Sequence, residues 1–313
     1  MYNSLCLLFI MDPPEKLDPD KDTTLALMRA ALERNIQACW CEISDLTVDM
    51  GVPRAYVKYA DFSKDGELIT KISVDIKKLD SFDLIFMRKD PPFNEDYLYS
   101  TYILDLCKKA KVINAPKGLR AANEKLFIFK FPMLIPPTIL TKRTKDLKRF
   151  LKDSGGLMVV KPIYGSGGEK VFLVREDDEN KNVILETITE YEKVFAMGQV
   201  YIHNIKEGDK RILLWNGSPI GQVLRIPPPG ELRGNLHVGA SFVSTPLTKR
   251  DLEICETLKP ALLSLGLYFV GIDVIGDYLT EVNVTSPTGV MEINALKDIK
   301  LEMDILDYAL GII

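Results

Sequence analysis

Residues 269–284 read Phe269-Val270-Gly271-Ile272-Asp273-Val274-Ile275-Gly276-Asp277-Tyr278-Leu279-Thr280-Glu281-Val282-Asn283-Val284. Two runs of strand-forming residues flank a Gly-Asp pair, the pattern of a β-hairpin. Glu281 and Asn283 are two apart and point to one face of the second strand, while Val282 and Val284 point to the other. Such a strand packs one side and leaves a carboxylate and an amide on its open side. Loop parity decides whether Asp273 joins them. A two-residue loop, Gly276-Asp277, pairs Ile272 with Glu281 and turns Asp273 away. A three-residue loop, Gly276-Asp277-Tyr278, pairs Asp273 with Glu281. The three-residue loop with a glycine bulge is the expectation, since it gathers Asp273, Glu281 and Asn283 as hard oxygen donors for a Mg²⁺ held against phosphates. A solvated polar face is the alternative reading.

Working back from this hairpin, strands dominate from Ala196 onward: 197–202, 211–215 and 220–225, with Asn216-Gly217 as a turn, then a Pro/Gly stretch over 227–239 and a helix over 248–265 closed by Gly266. Arg225, Arg233 and Asn235 surround that stretch, and guanidinium forks match phosphate and carboxylate oxygens. Further upstream a strand over 157–161 delivers Lys161 into Pro162-Ile163-Tyr164-Gly165-Ser166-Gly167-Gly168. Glycines there allow backbone N–H groups to approach phosphate oxygens, although no Gly-Lys-Ser/Thr closes a P-loop. An ordinary glycine-rich hairpin reads the same way. Lys125 falls on a predicted helix over 124–131, stopped by Pro132. The first third alternates strands (5–11, 37–43, 82–88, 112–114) with helices (25–34, 97–110), and 56–59 and 71–76 pair about an Asp65-Gly66 turn. Strands separated by helices predict an open, mostly parallel sheet, so the chain is α/β at its start and α+β at its end. A C-terminal helix covers 300–310.

The totals narrow the chemistry. The chain has 313 residues, a formal net charge of −4 and a pI near 5.5, which argues against nucleic-acid binding. Two histidines, His203 and His237, leave little material for a His-based triad or zinc site. Five cysteines without a C-x-x-C spacing suggest reduced thiols in the cytoplasm. The apolar run at 5–11 is short, lacks a basic flank and ends in Asp12-Pro13-Pro14, which reads as a buried strand rather than a signal peptide. No run approaches a membrane span, so no membrane association is expected. Catalysis must rest on Lys, Arg, carboxylates and backbone amides.

The order of these features resembles an ATP-grasp ligase, and several blocks resemble bacterial glutathione synthetases. These are Met87-Arg88-Lys89-Asp90-Pro91-Pro92-Phe93, Lys21-Asp22-Thr23-Thr24, Asn123-Glu124-Lys125-Leu126-Phe127, Lys206-Glu207-Gly208-Asp209-Lys210-Arg211, Arg233-Gly234-Asn235-Leu236 and Asn283-Val284-Thr285-Ser286-Pro287-Thr288-Gly289. The resemblance implies an N-terminal substrate domain over 1–122 and an ATP-grasp domain over 123–313, the latter with a lid lobe to about residue 200 and a catalytic lobe beyond it. It implies that ATP activates the carboxylate of γ-glutamylcysteine as an acyl phosphate, which glycine attacks. Lys125, Lys161, Gly165, Gly167 and Gly168 would hold the phosphates. Gln199, Tyr201 and Ile202 would line the adenine pocket, and Asp209 would join the nucleotide site. Asp273, Glu281 and Asn283 would bind Mg²⁺, with Mn²⁺ a substitute. Arg211, Arg225, Arg233 and Asn235 would neutralise phosphate and substrate carboxylate, and Ser286 and Gly289 would lie at the dipeptide. A homotetramer is implied by the resemblance alone.

Three positions depart from the family pattern. Tyr164-Gly165-Ser166-Gly167-Gly168 stands for Asp-Gly-Met-Gly-Gly, Gly239-Ala240 for Gly-Gly, and Met291-Glu292 for Arg-Glu. A related ligase with another acid and amine, or a nucleotide-binding homologue impaired in catalysis, are the rival readings.

Overall fold

A computed structural model describes residues 5–63, 66–70, 75–164, 168–228, 230 and 239–313. The first sheet holds β1 (Cys6–Ile10), β2 (Gln37–Cys41), β3 (Leu46–Asp49), β4 (Val52–Phe62), β5 (Leu68–Thr70), β6 (Asp75–Lys78), β7 (Leu84–Met87) and β8 (Lys111–Ile113). Its spatial order is β3-β4-β2-β1-β7-β8, with β5 and β6 both on β4. The expected parallel sheet is present: β2, β1, β7 and β8 run parallel, and β4 adds an antiparallel flank. The run over 71–76 is described only from Asp75 on, where β6 pairs with β4; residues 71–74 and Asp65 of the turn lie outside the described residues.

The parallel strands are apolar on both faces, as a doubly covered sheet requires. Helix α1 (Thr23–Glu33) covers one side and starts where Asp22 accepts the Leu25 N–H at 2.8 Å. Helix α2 (Glu95–Leu104) is capped by Asn94, which accepts from Tyr97 N at 3.0 Å. It stops six residues short of the predicted end. The Lys108, Lys109 and Ala110 N–H groups are drawn instead to Asp80 Oδ1 at 2.8, 2.8 and 3.2 Å, which pulls that segment out of the helix.

Helix α3 (Pro116–Ala121) leads to the second sheet, which contains β9 (Thr138–Thr141), β10 (Leu157–Pro162), β11 (Phe172–Arg175) and β12 (Ala196–Val200) in the order β11-β10-β12-β9, all antiparallel. Helices α4 (Thr144–Asp153) and α5 (Lys181–Ile188) pack on one face through Leu147, Leu151, Leu185 and Ile188 against Met158, Val160 and Val174. A Cβ on Gly198 would come within 3.1 Å of Ile139 and 3.2 Å of Leu147, so this position must stay bare for α4 to seat.

The third sheet is antiparallel, ordered β15-β14-β13-β16-β17: β13 (Asp209–Trp215), β14 (Ser218–Ile226), β15 (Ser241–Val243), β16 (Phe269–Ile275) and β17 (Tyr278–Asn283). Helix α6 (Lys249–Ser264) covers one face, while α7 (Val290–Lys297) and α8 (Leu301–Leu310) close one end of the other and reach α1. Asn114 stitches the first sheet to the third, donating to Phe269 O and Val284 O at 2.7 Å each and accepting from Phe269 N at 2.8 Å.

The hairpin quoted at the outset corrects one expectation and keeps another. Ile275 pairs with Tyr278, so the loop is the two-residue Gly276-Asp277 and not the three-residue loop. Asp273 nevertheless pairs with Glu281, because a β-bulge leaves Thr280 without a partner. The Thr280 hydroxyl donates to Asp273 O at 3.1 Å and holds the bulge. The odd residue lies in the strand rather than in the loop.

Candidate active site

A cleft of about 320 Å³ opens between the second and third sheets, with the tip of the first sheet at its side. Its floor is one row across three strands: Arg211 on β13 pairs with Asp273 on β16, which pairs with Glu281 on β17. Asp209 and Arg225 lie opposite each other one step along. Arg211 donates from Nε to Asp273 Oδ1 at 2.6 Å, from Nη2 to Oδ2 at 3.1 Å and from Nη1 to Thr288 O at 3.1 Å. Arg225 Nη2 bridges Asp209 Oδ2 at 2.5 Å and Asp273 Oδ1 at 2.9 Å. Gly271 makes room for this: a Cβ there would lie 3.3 Å from the Arg211 side chain and 3.1 Å from Pro287.

The two aspartates respond oppositely to the same surroundings. Burial pushes Asp273 up, but Arg211 and Arg225 outweigh it and hold its carboxyl below the ordinary carboxylate range. Burial dominates at Asp209, pushed up to about 6 despite Arg225, and its Oδ1 is buried without a partner. Burial works against the charge of Arg225 too, yet Asp209 and Asp273 hold it above its ordinary value.

The roof comes from β10 and β12. Lys161 and Val159 point down from β10, with Gln199 beside Val159 on β12, fixed by its donation to Thr138 Oγ1 at 3.2 Å. Lys161 Nζ spans the cleft to Glu281 Oε1 at 3.4 Å. Val200, Tyr201, Ile202 and Ile205 continue the apolar wall. Lys125 also lines the cleft, but not from a helix. Asn123 Oδ1 accepts from Lys125 N and Leu126 N at 3.0 Å each, making a turn, and only Phe127–Lys130 follows as a 3₁₀ helix. The Val282 N–H donates to Glu124 O at 2.9 Å and ties this turn to the floor. Lys125 is ion-paired with Glu124; burial would lower its pKa, but Glu281 and Glu124 raise it.

The structure thus brings together Lys125, Lys161, Gly168, Gln199, Tyr201, Ile202, Asp209, Arg211, Arg225, Asp273, Glu281, Asn283, Ser286 and Gly289 in one cleft. Gly165, Gly167, Arg233 and Asn235 lie outside the described residues, as does Ser166. Lining residues beyond those candidates include Asp90, Glu124, Thr288 and Glu292. Asp90, its carboxyl raised by burial against a Ser286 hydrogen bond, sits in Lys-Asp-Pro-Pro; Glu124 precedes Lys125; Thr288 and Glu292 follow Ser286. Asp90, Glu124 and Thr288 belong to the quoted family blocks and Glu292 to the Met291-Glu292 departure, and the sequence offers no other signal for them. Of the departures, Tyr164 donates to Glu190 Oε1 at 2.5 Å, and Gly239 takes a positive φ of 80° while Ala240 does not, so its methyl brings no backbone strain.

Hard oxygen donors suited to a divalent cation are present on the floor. Asn283 Nδ2 donates to Asp273 Oδ2 at 3.2 Å, which leaves its amide oxygen for a cation beside Glu281. Asp273 is more fully occupied, since each oxygen accepts two hydrogen bonds. Among the described residues no group of three or more His, Cys, Asp or Glu could hold a metal, so any such site needs the amide and a ligand's own oxygens.

Three sheets in this order, with lysines above and a carboxylate row below, define an ATP-grasp ligase. The D-cycloserine synthetase DcsG shares the fold with a TM-score of 0.69 at 14% identity over 96% of this chain and 98% of that one. The ATP-grasp ligase PsnB, complexed with minimal precursor, Mg and ADP, gives 0.63 at 11% identity over 99% and 98%. The sequence narrows this to a family. Residues 5–120 match the prokaryotic glutathione synthetase N-terminal domain and residues 124–298 its ATP-grasp domain. Curated glutathione synthetases are 43% identical in Gloeobacter violaceus (96% of this chain, 95% of that protein), 43% in Thermosynechococcus vestitus (96% and 98%) and 41% in Vibrio vulnificus (95% and 95%). The chain belongs to the prokaryotic glutathione synthetase family.

Proposed function

We infer that this chain joins γ-glutamylcysteine to glycine at the expense of ATP. The observation that carries this is the cleft itself, about 320 Å³, in which Lys125 and Lys161 lie with the Arg211–Asp273–Glu281 row, so that a polyphosphate displacing the Lys161–Glu281 ion pair would meet cations and hard oxygens together. The donor carboxylate attacks the γ-phosphorus, ADP leaves, and the glycine amine displaces phosphate from the acyl phosphate. No residue becomes covalently modified. Lys125 and Lys161 offset phosphate charge; Arg211 and Arg225, with Arg233 and Asn235, offset the transferring phosphoryl group and the donor carboxylate. Gln199, Tyr201 and Ile202 orient the base, and Asp209 joins the nucleotide site. Ser286 and Gly289 position the dipeptide. Glu281, Asn283 and Asp273 would hold Mg²⁺, or Mn²⁺ in its place, and the ion would supply neutralisation of phosphate charge.

Residues 1–122 act as the substrate domain and 123–313 as the ATP-grasp domain. The enzyme works as a homotetramer in the cytoplasm, which sedimentation and fractionation test directly. No helix among the described residues is long and apolar enough to cross a membrane. ADP release with γ-glutamylcysteine and glycine, against a panel of other acids and amines, decides the substrate pair. Absence of turnover on the first pair, with turnover on another, overturns it.

A further inference from the structure

Most carboxylates of the cleft already have a cation. Asp273 has Arg211 and Arg225, Asp209 has Arg225, Glu281 has Lys161 and Glu124 has Lys125. Glu292 does not. It lies in the first turn of α7, three residues past Gly289, and lines the cleft. Both of its carboxylate oxygens are shut off from solvent and neither has a hydrogen-bond partner on another residue; only its own backbone N–H acts on them. Among the described residues it is the only carboxylate with both oxygens in that state. The cations that act on it are Arg211, Lys21 and Arg225. Arg211 is spent on Asp273 and Thr288 O, Arg225 on Asp209 and Asp273, and Lys21 pairs with Asp18 at 3.4 Å. Burial accordingly raises the Glu292 carboxyl above its ordinary value. A buried, unbonded carboxylate is costly, and such groups persist where a ligand completes them.

We propose that Glu292 binds the primary ammonium of one of the two amino-acid substrates. A lone carboxylate without further acids is a poor cation cage, because divalent ions need several hard oxygens. Phosphate and carboxylate groups are repelled by it. An alkylammonium supplies up to three N–H donors, enough for both orphan oxygens. Two ammonium groups are available, one on the acceptor amino acid and one on the γ-glutamyl end of the donor. If the acceptor's is bound, Glu292 takes one proton from it. The freed nitrogen pair then forms the C–N bond as the acyl C–O bond breaks, phosphate leaves with that electron pair, and the second proton passes from nitrogen to the departing phosphate.

The inference rests on the ligase reading above, and its test separates the two. Glu292→Gln keeps the shape and removes the charge. The expected result is a KM about thirtyfold or more higher for one amino-acid substrate, with the KM for ATP unchanged. Hydroxylamine as acceptor is neutral near pH 7 and abolishes the difference if Glu292 serves the acceptor. Glutarylcysteine as donor lacks the α-ammonium and abolishes it if Glu292 serves the donor. The ligand-free Gln variant should also show a higher Tm, since an unpaired buried charge has gone. Unchanged KM values for both amino acids, or a lower Tm, overturn the proposal. If the wild-type chain turns over neither substrate, the ligase reading fails, and calorimetric titration with each amino acid still decides Glu292: binding to wild type but not to the Gln variant supports it, and equal binding overturns it.

Discussion

The floor and the roof of the cleft are built on different principles. The floor is the third sheet, where Asp209, Arg211, Arg225 and Asp273 are buried side by side and hold one another in place. Its strands are backed by the large apolar cluster that includes Ile212, Val270, Ile272, Ile254 and Leu258. The roof is the second sheet, carried on the small cluster of Leu147, Leu151, Met158, Val160, Val174, Leu185, Ile188 and Ala196. Toward the cleft it offers Lys161 and Gln199 as its buried polar groups. The floor therefore arrives preorganised, with its electrostatics settled before any ligand binds. The roof supplies less charge on a lighter mounting, which suits a part that must admit and release nucleotide.

Breaking the floor has the largest expected effect. Asp273→Ala leaves Arg211 and Arg225 buried beside one another without their shared counter-charge, and removing one partner of such a network costs about 3–5 kcal/mol. The variant should unfold at markedly lower urea and lose ligase activity. If its stability matches wild type, the floor is not a self-supporting network and the contrast with the roof fails. Next comes Leu147→Ala, which opens a cavity in the roof's small core at about 2–5 kcal/mol. Hydrogen exchange should accelerate in β9, β10, β12 and α4 while β13, β16 and β17 keep their protection. Acceleration across all three sheets would mean that roof and floor open as one unit.

Lys161→Met separates the two regions by function. The lysine is buried but makes one long ion pair, to the half-buried Glu281 at 3.4 Å, so stability should fall by less than the about 3–5 kcal/mol of breaking a fully buried pair. Its loss should cost on the order of a hundredfold in kcat/KM with ATP. A variant that folds normally and turns over normally would remove Lys161 from the phosphate site and leave the roof with packing alone.

How far this contrast could be read from the amino-acid order depends on the interactions involved. The strands of both sheets are visible because apolar residues alternate or cluster over four to seven positions with Gly, Asn or Asp between them. The pairing of Asp273 with Glu281 was also visible, although the loop was counted wrongly. Loop arithmetic sees the turn but not a bulge one step later, where the Thr280 hydroxyl bonds back to Asp273 O. Lys125 misled for a similar reason: the apolar spacing after it is helical, but Asn123 captures the next two N–H groups and keeps the lysine in a turn. The Arg211–Asp273 contact joins residues 62 apart and exists only because β13 and β16 are neighbours, a fact of sheet order that no local pattern encodes. The state of Glu292 is not legible in the sequence, because an unpaired carboxylate is recognisable only once every possible partner has been placed.

The smallest effect tests whether the floor is as uniformly satisfied as its ion pairs suggest. Asp209 is its weak point: it shares Arg225 with Asp273, leaves Oδ1 unbonded, and is pushed from 3.8 up to about 6. A carboxyl whose native pKa lies above its unfolded value binds protons more readily in the folded protein. Its contribution is full below the unfolded value and is lost as pH rises through the native one. Asp273 has the opposite sign, contributing above 3.8 and losing that contribution only in stronger acid. Between about pH 4 and pH 6, then, the Asp209 term should lower stability as pH rises, by about 1–3 kcal/mol. Asp209→Asn cannot ionise and should flatten that slope, while Arg225 keeps Asp273. Glu124, Glu292 and Asp90 are raised by burial as well and remain in both proteins, so the difference between the two urea midpoints across this window isolates Asp209. Parallel curves would show that Arg225 satisfies Asp209 as fully as Arg211 satisfies Asp273, and the floor would have no soft position of its own.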